Sequence, residues 1–194
     1  MMRWIERGLL LLGVACLAIS AGSWVDSRLY QRMQGRRLDA LLHNGSDRHR
    51  QQRNHAVGTG RRGGGGSELV GRIDIPRLGI SAIIAEGTDP RTLRRAVGHV
   101  PATALPGDDG NIVLAGHRDS FFRALKDVRA GDHVRITTQA GVYDYQVDST
   151  DVVGPERVDL LDASAAATLT LITCYPFNYL GPAPGRFVVH ARPA

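Results

Sequence analysis

Residues 168–176 read TLTLITCYP: Thr168, Leu169, Thr170, Leu171, Ile172, Thr173, Cys174, Tyr175, Pro176. β-Branched and apolar residues follow one another at the period of a strand. The run ends on a cysteine, and Tyr175-Pro176 takes the chain out of the sheet. The one other cysteine, Cys16, lies in an apolar N-terminal segment. Two cysteines in such different settings do not make a disulfide framework. A free cysteine is most often a small buried hydrophobe. Its place at a strand end raises the alternative of a delivered nucleophile. That chemistry needs a cationic partner, because a free thiol with a pKa of about 8.5 is mostly protonated at neutral pH.

The strand of this cysteine is one of several. Glu68–Ile75 alternates and is stopped by Pro76; Gly79–Ala85 follows as a second strand. Asp89-Pro90 opens a short helix to Ala96. Asn111–Ala115 (NIVLA) reads as a buried strand, and Phe121–Lys126 as one helical turn. His133–Thr138 and Val142–Ser149 form a hairpin across Gln139-Ala140-Gly141, leaving Thr150–Ala167 as a loop. Arg186–Ala191 closes the pattern. The expectation is a mainly β domain over residues 68–194, a closed or partly closed barrel with short helices.

The 194-residue chain carries a net charge of +5, and its distribution decides what that means. Before Ser67 there are eleven arginines and four acids; from Glu68 onward thirteen basic residues face fifteen acidic ones. The folded part is therefore not a basic nucleic-acid module, and no nucleic-acid partner is expected. Residues 1–7 hold Arg3 and Arg7, and residues 8–25 carry no charge. Eighteen helical residues span about 27 Å, close to the hydrocarbon thickness of a bilayer. Residues 8–25 are thus expected to be a transmembrane signal anchor in the cytoplasmic membrane, with 1–7 as a cytoplasmic N-terminus. Residues 26–67 read as a membrane-proximal segment and a basic tether: a short helix over Ser27–His43, then a flexible stretch ending in four glycines. Arginines on both flanks leave the orientation open from charge alone.

The cysteine needs partners, and the candidates in the domain are few. His133 falls on an alternating strand and reads as a surface residue; His190 reads as structural in the last strand. His99 is the runner-up. His117 differs, because Gly116-His117 follows directly on the apolar strand NIVLA. Two strand ends can bring an imidazole and a thiol together at one mouth of a barrel, to share a proton and later pass it to a leaving amine. Acyl transfer also develops charge on a carbonyl oxygen, for which a donor must be waiting. Arg186 opens the strand after Cys174, across a loop holding Pro182, Pro184 and Gly185. The paired acids Asp108-Asp109 are insufficient for a metal, and no metal or cofactor is expected.

Taken together these segments resemble the sortases. TLITC (170–174) matches the family's T-L-x-T-C signature, LAGHRDSFF (114–122) matches its histidine segment, and Arg186 in GPAPGRFVVH (181–190) stands where the family has an arginine. The stretch 174–189 looks most like the class D group. The resemblance covers residues 68–194 and implies an eight-stranded sortase-type β-barrel. It further implies a cysteine transpeptidase that cleaves a Leu-Pro-x-Thr-Gly-like sorting motif, holds the acyl group as a thioester and transfers it to an amine. Carried over, Cys174 is the nucleophile, His117 the general acid and base, and Arg186 the substrate or oxyanion donor. Thr173, Asp119, Ser120 and Tyr175 are supporting or substrate-binding residues. The implied partners are proteins with a C-terminal sorting signal and an amine acceptor, a cell-wall precursor or a protein lysine. The implied location of the domain is the extracytoplasmic side. An exported cysteine hydrolase and a catalytically inert, membrane-anchored binding module are the alternatives.

Overall fold

The computed structural model describes residues 2–51, 68–162 and 164–194. Helix α1 spans Met2–Gln51. Eight strands follow: β1 (Leu69–Ile75), β2 (Ile80–Glu86), β3 (Val97–His99), β4 (Asn111–Ala115), β5 (His133–Thr137), β6 (Val142–Val153), β7 (Thr168–Tyr175) and β8 (Gly185–Pro193). They close into a barrel in the order β1-β2-β3-β4-β7-β8-β6-β5, with β5 pairing back onto β1. Two of the pairings are parallel, β2 with β3 and β4 with β7. The closed barrel is as the strand pattern suggests, and its eight strands are as the resemblance implies.

Alternation sets which face of each strand is inside. Ile73, Ile75, Ile112, Leu114, Leu169, Leu171 and Val189 meet in one core and are fully buried. Burying each such side chain contributes about 1.5–3 kcal/mol relative to exposure. Helix α2, Pro90–Arg95, starts where expected: the Asp89 carboxylate accepts from Arg91 N at 2.9 Å and Thr92 N at 3.2 Å, and proline fills the first turn.

Three expectations need correction, and a fourth finds no support. The short strand β3 was not anticipated. Strand β6 continues to Val153, so part of the expected loop over 150–167 is strand. Helix α1 runs without a break past His43 to Gln51, so the tether does not begin at Asn44; residues 52–67 lie outside the described residues. The transmembrane helix expected at 8–25 is not supported: among the described residues no helix is long and apolar enough to cross a membrane. Most side chains of that stretch lie outside the described residues, and α1 continues directly into the turns bearing Arg28, Arg32, Arg36 and Arg37.

The second half of α1 is also no loose spacer, because it docks on the barrel wall. Gln31 donates from Nε2 to the Arg95 carbonyl at 2.7 Å and accepts from Ile83 N at 2.8 Å. Asp26 accepts two hydrogen bonds from Arg95, at 2.6 and 3.0 Å, and the same guanidinium sits 5.9 Å from the Tyr30 ring centre. Leu38 is fully buried. Ile83 is the residue just before β2 begins to pair with β3 at Ile84. The glutamine side chain thus takes the hydrogen bond that a longer β3 would have supplied.

Candidate active site

Cys174 and Arg186 are directly opposed across the antiparallel β7–β8 pair. Opposed residues point to the same face, with Cβ atoms about 4.5–5.5 Å apart. Leu169 and Leu171 enter the core, so Thr173 points inward with them and Cys174 points outward with Ile172. The thiol therefore sits on the outer wall at the end of its strand, not in the barrel's mouth. Cys174 is half-buried, and no disulfide involves it.

His117 arrives from the neighbouring strand. β4 runs parallel to β7 with Ala115 paired to Ile172, and Gly116 N donates to the Ile172 carbonyl at 3.1 Å. Gly116-His117 thus leaves the sheet alongside Thr173-Cys174, which stay paired with β8. Thr173, 2% exposed, donates from its hydroxyl to the Gly116 carbonyl at 2.7 Å. A backbone N–H would make this contact if the ladder continued; the threonine makes it as β4 turns away. A Cβ on Gly116 would lie 2.6 Å from the ring of fully buried Phe122, so the close packing of that ring requires glycine. The His117 carbonyl accepts from Ser120 N at 3.3 Å and Phe122 N at 3.1 Å, folding 117–122 into a tight turn. The imidazole itself is exposed and has no hydrogen-bond or ion-pair partner among the described residues.

Arg186 has no carboxylate partner among the described residues. Its Nη1 donates to the carbonyls of Gly185 at 2.9 Å and Ala183 at 3.4 Å, in its own loop. This excludes a surface ion pair among the described residues as the reason for its presence. The other histidines of the domain, residues 68–194, are accounted for. His99 is 2% exposed and held between Glu86 Oε2 at 2.7 Å and the Ala104 carbonyl at 2.9 Å. His133 is exposed on β5, and His190 lies 3.4 Å from Asp151.

Of the supporting residues, Asp119 lies 3.5 Å from the guanidinium of Arg118, and its carboxylate is 69% exposed. Ser120 contributes its backbone N–H to the turn. The Tyr175 ring packs on Phe177 and Phe187, with centres 6.2 and 6.4 Å away. Sequence reasoning missed Arg118, which is buried and donates to the carbonyls of Pro176 at 2.7 Å and Tyr179 at 2.5 Å. The segment between β6 and β7 crosses the same outer wall. Asn111 pins it by donating to the Leu160 carbonyl at 2.9 Å, and accepts from Thr170 at 2.8 Å. Ala115, Ile172 and Cys174 are half-buried on that wall, toward the other end of β4 and β7.

Residues 73–194 match the family described as Sortase domain. Sortase D of Bacillus subtilis is 33% identical over 126 residues, which cover 64% of this chain and 64% of that one. Sortase A of Listeria monocytogenes is 30% identical over 110 residues, covering 55% of this chain and 49% of that one. The chain thus spans less than two thirds of the length of either relative. Among solved structures, a Clostridium perfringens sortase D5 transpeptidase superposes with a TM-score of 0.60 at 30% identity, covering 65% of this chain and 79% of the other. Sortase C-1 from Actinomyces oris gives a TM-score of 0.59 at 33% identity, with 65% and 73% covered.

Proposed function

Because the chain belongs to the sortase family, we propose that it is a cysteine transpeptidase with Cys174 as nucleophile, His117 as general acid and base, and Arg186 as the donor to substrate. The observation that supports this reading is the register: Cys174 faces Arg186 across β7–β8, and parallel β4 ends at the same edge of the sheet, two residues before His117. The Cys174 thiol gives its proton to His117, and the sulfur attacks the scissile carbonyl. Arg186, whose guanidinium pairs with no carboxylate among the described residues, stabilises the oxyanion. Collapse expels the amine, which takes the proton from the imidazolium, and leaves a thioester. An acceptor amine then attacks the thioester, gives its proton to His117 and releases the thiolate.

The substrate class is a Leu-Pro-x-Thr-Gly-like sorting signal on a protein. It would lie along the outer wall, where Ala115 and Ile172 offer an apolar floor beside the thiol. The segment between β6 and β7, pinned by Asn111, forms one bank of this groove. The class D assignment rests on residues 174–189 and on the similarity to the Bacillus subtilis protein. Anchoring in the cytoplasmic membrane, with the domain outside, is supported by the uncharged run over 8–25 and by exposed Leu10, Leu12 and Val14. A tether of this kind raises the local concentration of enzyme around membrane-held substrates.

The test uses the full chain with a library of sorting peptides, with and without an added amine, read by mass spectrometry. A new amide in the presence of the amine identifies transpeptidation, and the free acid alone identifies a hydrolase. Cys174→Ala and His117→Ala abolish both products while leaving the barrel's circular dichroism unchanged. Full activity in Cys174→Ala overturns the assignment. Sedimentation of the full chain with membranes, lost when residues 1–25 are removed, tests the anchor.

A further inference from the structure

Arg118 joins the turn that carries His117 to the loop that follows Cys174. It follows His117 directly, and its side chain is 8% exposed. Nη1 donates to the Pro176 carbonyl at 2.7 Å and Nη2 to the Tyr179 carbonyl at 2.5 Å. Its Nε lies 3.5 Å from Asp119 Oδ1. Pro176 is two residues beyond Cys174, and Tyr179 lies further along the same β7–β8 loop. One planar group thus holds the His117 turn on one side and the chain leaving Cys174 on the other.

Burying a guanidinium is unfavourable unless its donors are matched, and here they are matched by carbonyls rather than by a buried carboxylate. A surface arginine would have left this position to solvent. The imidazole of His117 has no partner of its own among the described residues, and neither Asp119 nor Ser120 hydrogen-bonds to it. Its placement therefore depends on the backbone that carries it. That backbone is fixed at three points: Phe122 against Gly116, Thr173 on the Gly116 carbonyl, and Arg118 across to the loop after the cysteine. Of the three, only the last ties the turn that carries His117 to the loop that follows Cys174.

We propose that Arg118 is a positioning residue that sets the His117–Cys174 spacing by clamping the histidine turn to the post-cysteine loop; this rests on the assignment of those two residues as the reacting pair. Arg118 acts through the backbone carbonyls of Pro176 and Tyr179, not on the thiol. Lysine cannot replace it, because an ammonium is a point donor and cannot satisfy two carbonyls in the planar fork geometry of a guanidinium.

The experiment compares Arg118→Lys and Arg118→Gln with wild type, His117→Ala and Cys174→Ala, all as the full chain. Three quantities are read: kcat and KM for a sorting peptide with an amine acceptor, the rate of Cys174 alkylation by iodoacetamide against pH, and the thermal midpoint. A displacement of about 1 Å lowers rate about 100-fold. Both variants are therefore expected to lose about 10- to 100-fold in kcat with KM within about twofold. Their alkylation profiles should shift toward that of His117→Ala, while melting stays cooperative. Retention of wild-type kcat and alkylation profile in Arg118→Gln overturns the proposal. Loss of cooperative melting in both variants also overturns it, because Arg118 would then serve the fold alone. The same data separate this proposal from its premise: a His117→Ala profile identical to wild type removes the Cys–His pair itself, whatever Arg118 does.

Discussion

Replacing Thr173 by valine tests whether the strand end that carries His117 is held by a side chain rather than by the sheet. The two side chains have nearly the same volume, so the substitution opens no cavity. What it removes is the 2.7 Å hydrogen bond from Oγ1 to the carbonyl of Gly116, in a threonine that is 2% exposed. Gly116 is buried as well, so water does not replace the lost donor. An orphaned buried carbonyl costs about 1–3 kcal/mol. Valine's preference for strands offsets only a few tenths of that. For a domain of this size each kcal/mol moves Tm by about 3–5 °C. The expected fall is therefore about 3–15 °C, read by circular dichroism of the full chain.

Serine is the control, since Thr173→Ser keeps the hydroxyl and loses one buried methyl, worth about 0.8 kcal/mol. It should melt above the valine variant. Activity should follow stability in order, with valine losing about tenfold or more because Gly116 leads directly into His117. The reasoning is refuted if Thr173→Val melts with wild type, or if serine falls as far as valine. Either result would mean that the Gly116 carbonyl does not depend on this donor.

Two further perturbations address other parts of the structure. Gln31→Ala removes both the acceptor for Ile83 N and the donor to the Arg95 carbonyl; hydrogen exchange at Ile83 should accelerate about 10-fold or more, as expected for a net loss of about 1.5 kcal/mol, and unchanged exchange would show that α1 does not dock in solution. The hydrogen bonds from Arg77 and from the backbone N–H of Arg129 lower the Asp132 pKa below its ordinary 3.8. A carboxylate with a depressed folded pKa contributes stability above its unfolded pKa and loses it as pH falls through the folded value. Urea unfolding should therefore show wild type more stable than Asp132→Asn at pH 7, the gap closing below about pH 4. A gap that persists unchanged at pH 3 would show that the ion pair does not supply it.

The strands were legible because their alternation is strong and turn residues bound them; Cys174 and Arg186 were legible because a Pro- and Gly-rich loop separates two strand-like runs. The three residues of β3 are too few to show a period. Their extended form comes from pairing with β2, and a Cβ on Gly98 would lie 2.4 Å from the Gly87 carbonyl, so tertiary contact rather than propensity shapes that stretch. The docking of α1 was hidden for a different reason. Among the described residues its contact relies on fully buried Leu38 and on polar groups such as Gln31 and Asp26 that read as solvated until the backbone they complement is known. Arg118 was missed likewise: its partners are carbonyls, which leave no trace in sequence.

Which wall of the barrel carries the thiol follows from parity, which no segment read alone can fix. Leu169 and Leu171 are in the core, so Thr173 must share their side and Cys174 must face out. Slipping β7 by one residue against β8 would break the pairing with Arg186, and turning β7 over would put the thiol inside. The parallel pairing of β4 and β7 is equally necessary, since it places both C-terminal ends at the same edge of the wall. Were the same two strands antiparallel, the five residues of β4 would carry His117 to the opposite edge, about 17 Å away at 3.3 Å per residue. Strand β8 must run against β7, because Arg186 lies at its beginning rather than its end. One parallel and one antiparallel neighbour around β7 therefore suffice to gather three distant residues, and the side-chain hydrogen bonds of Thr173 and Arg118 act only beyond the point where that sheet stops.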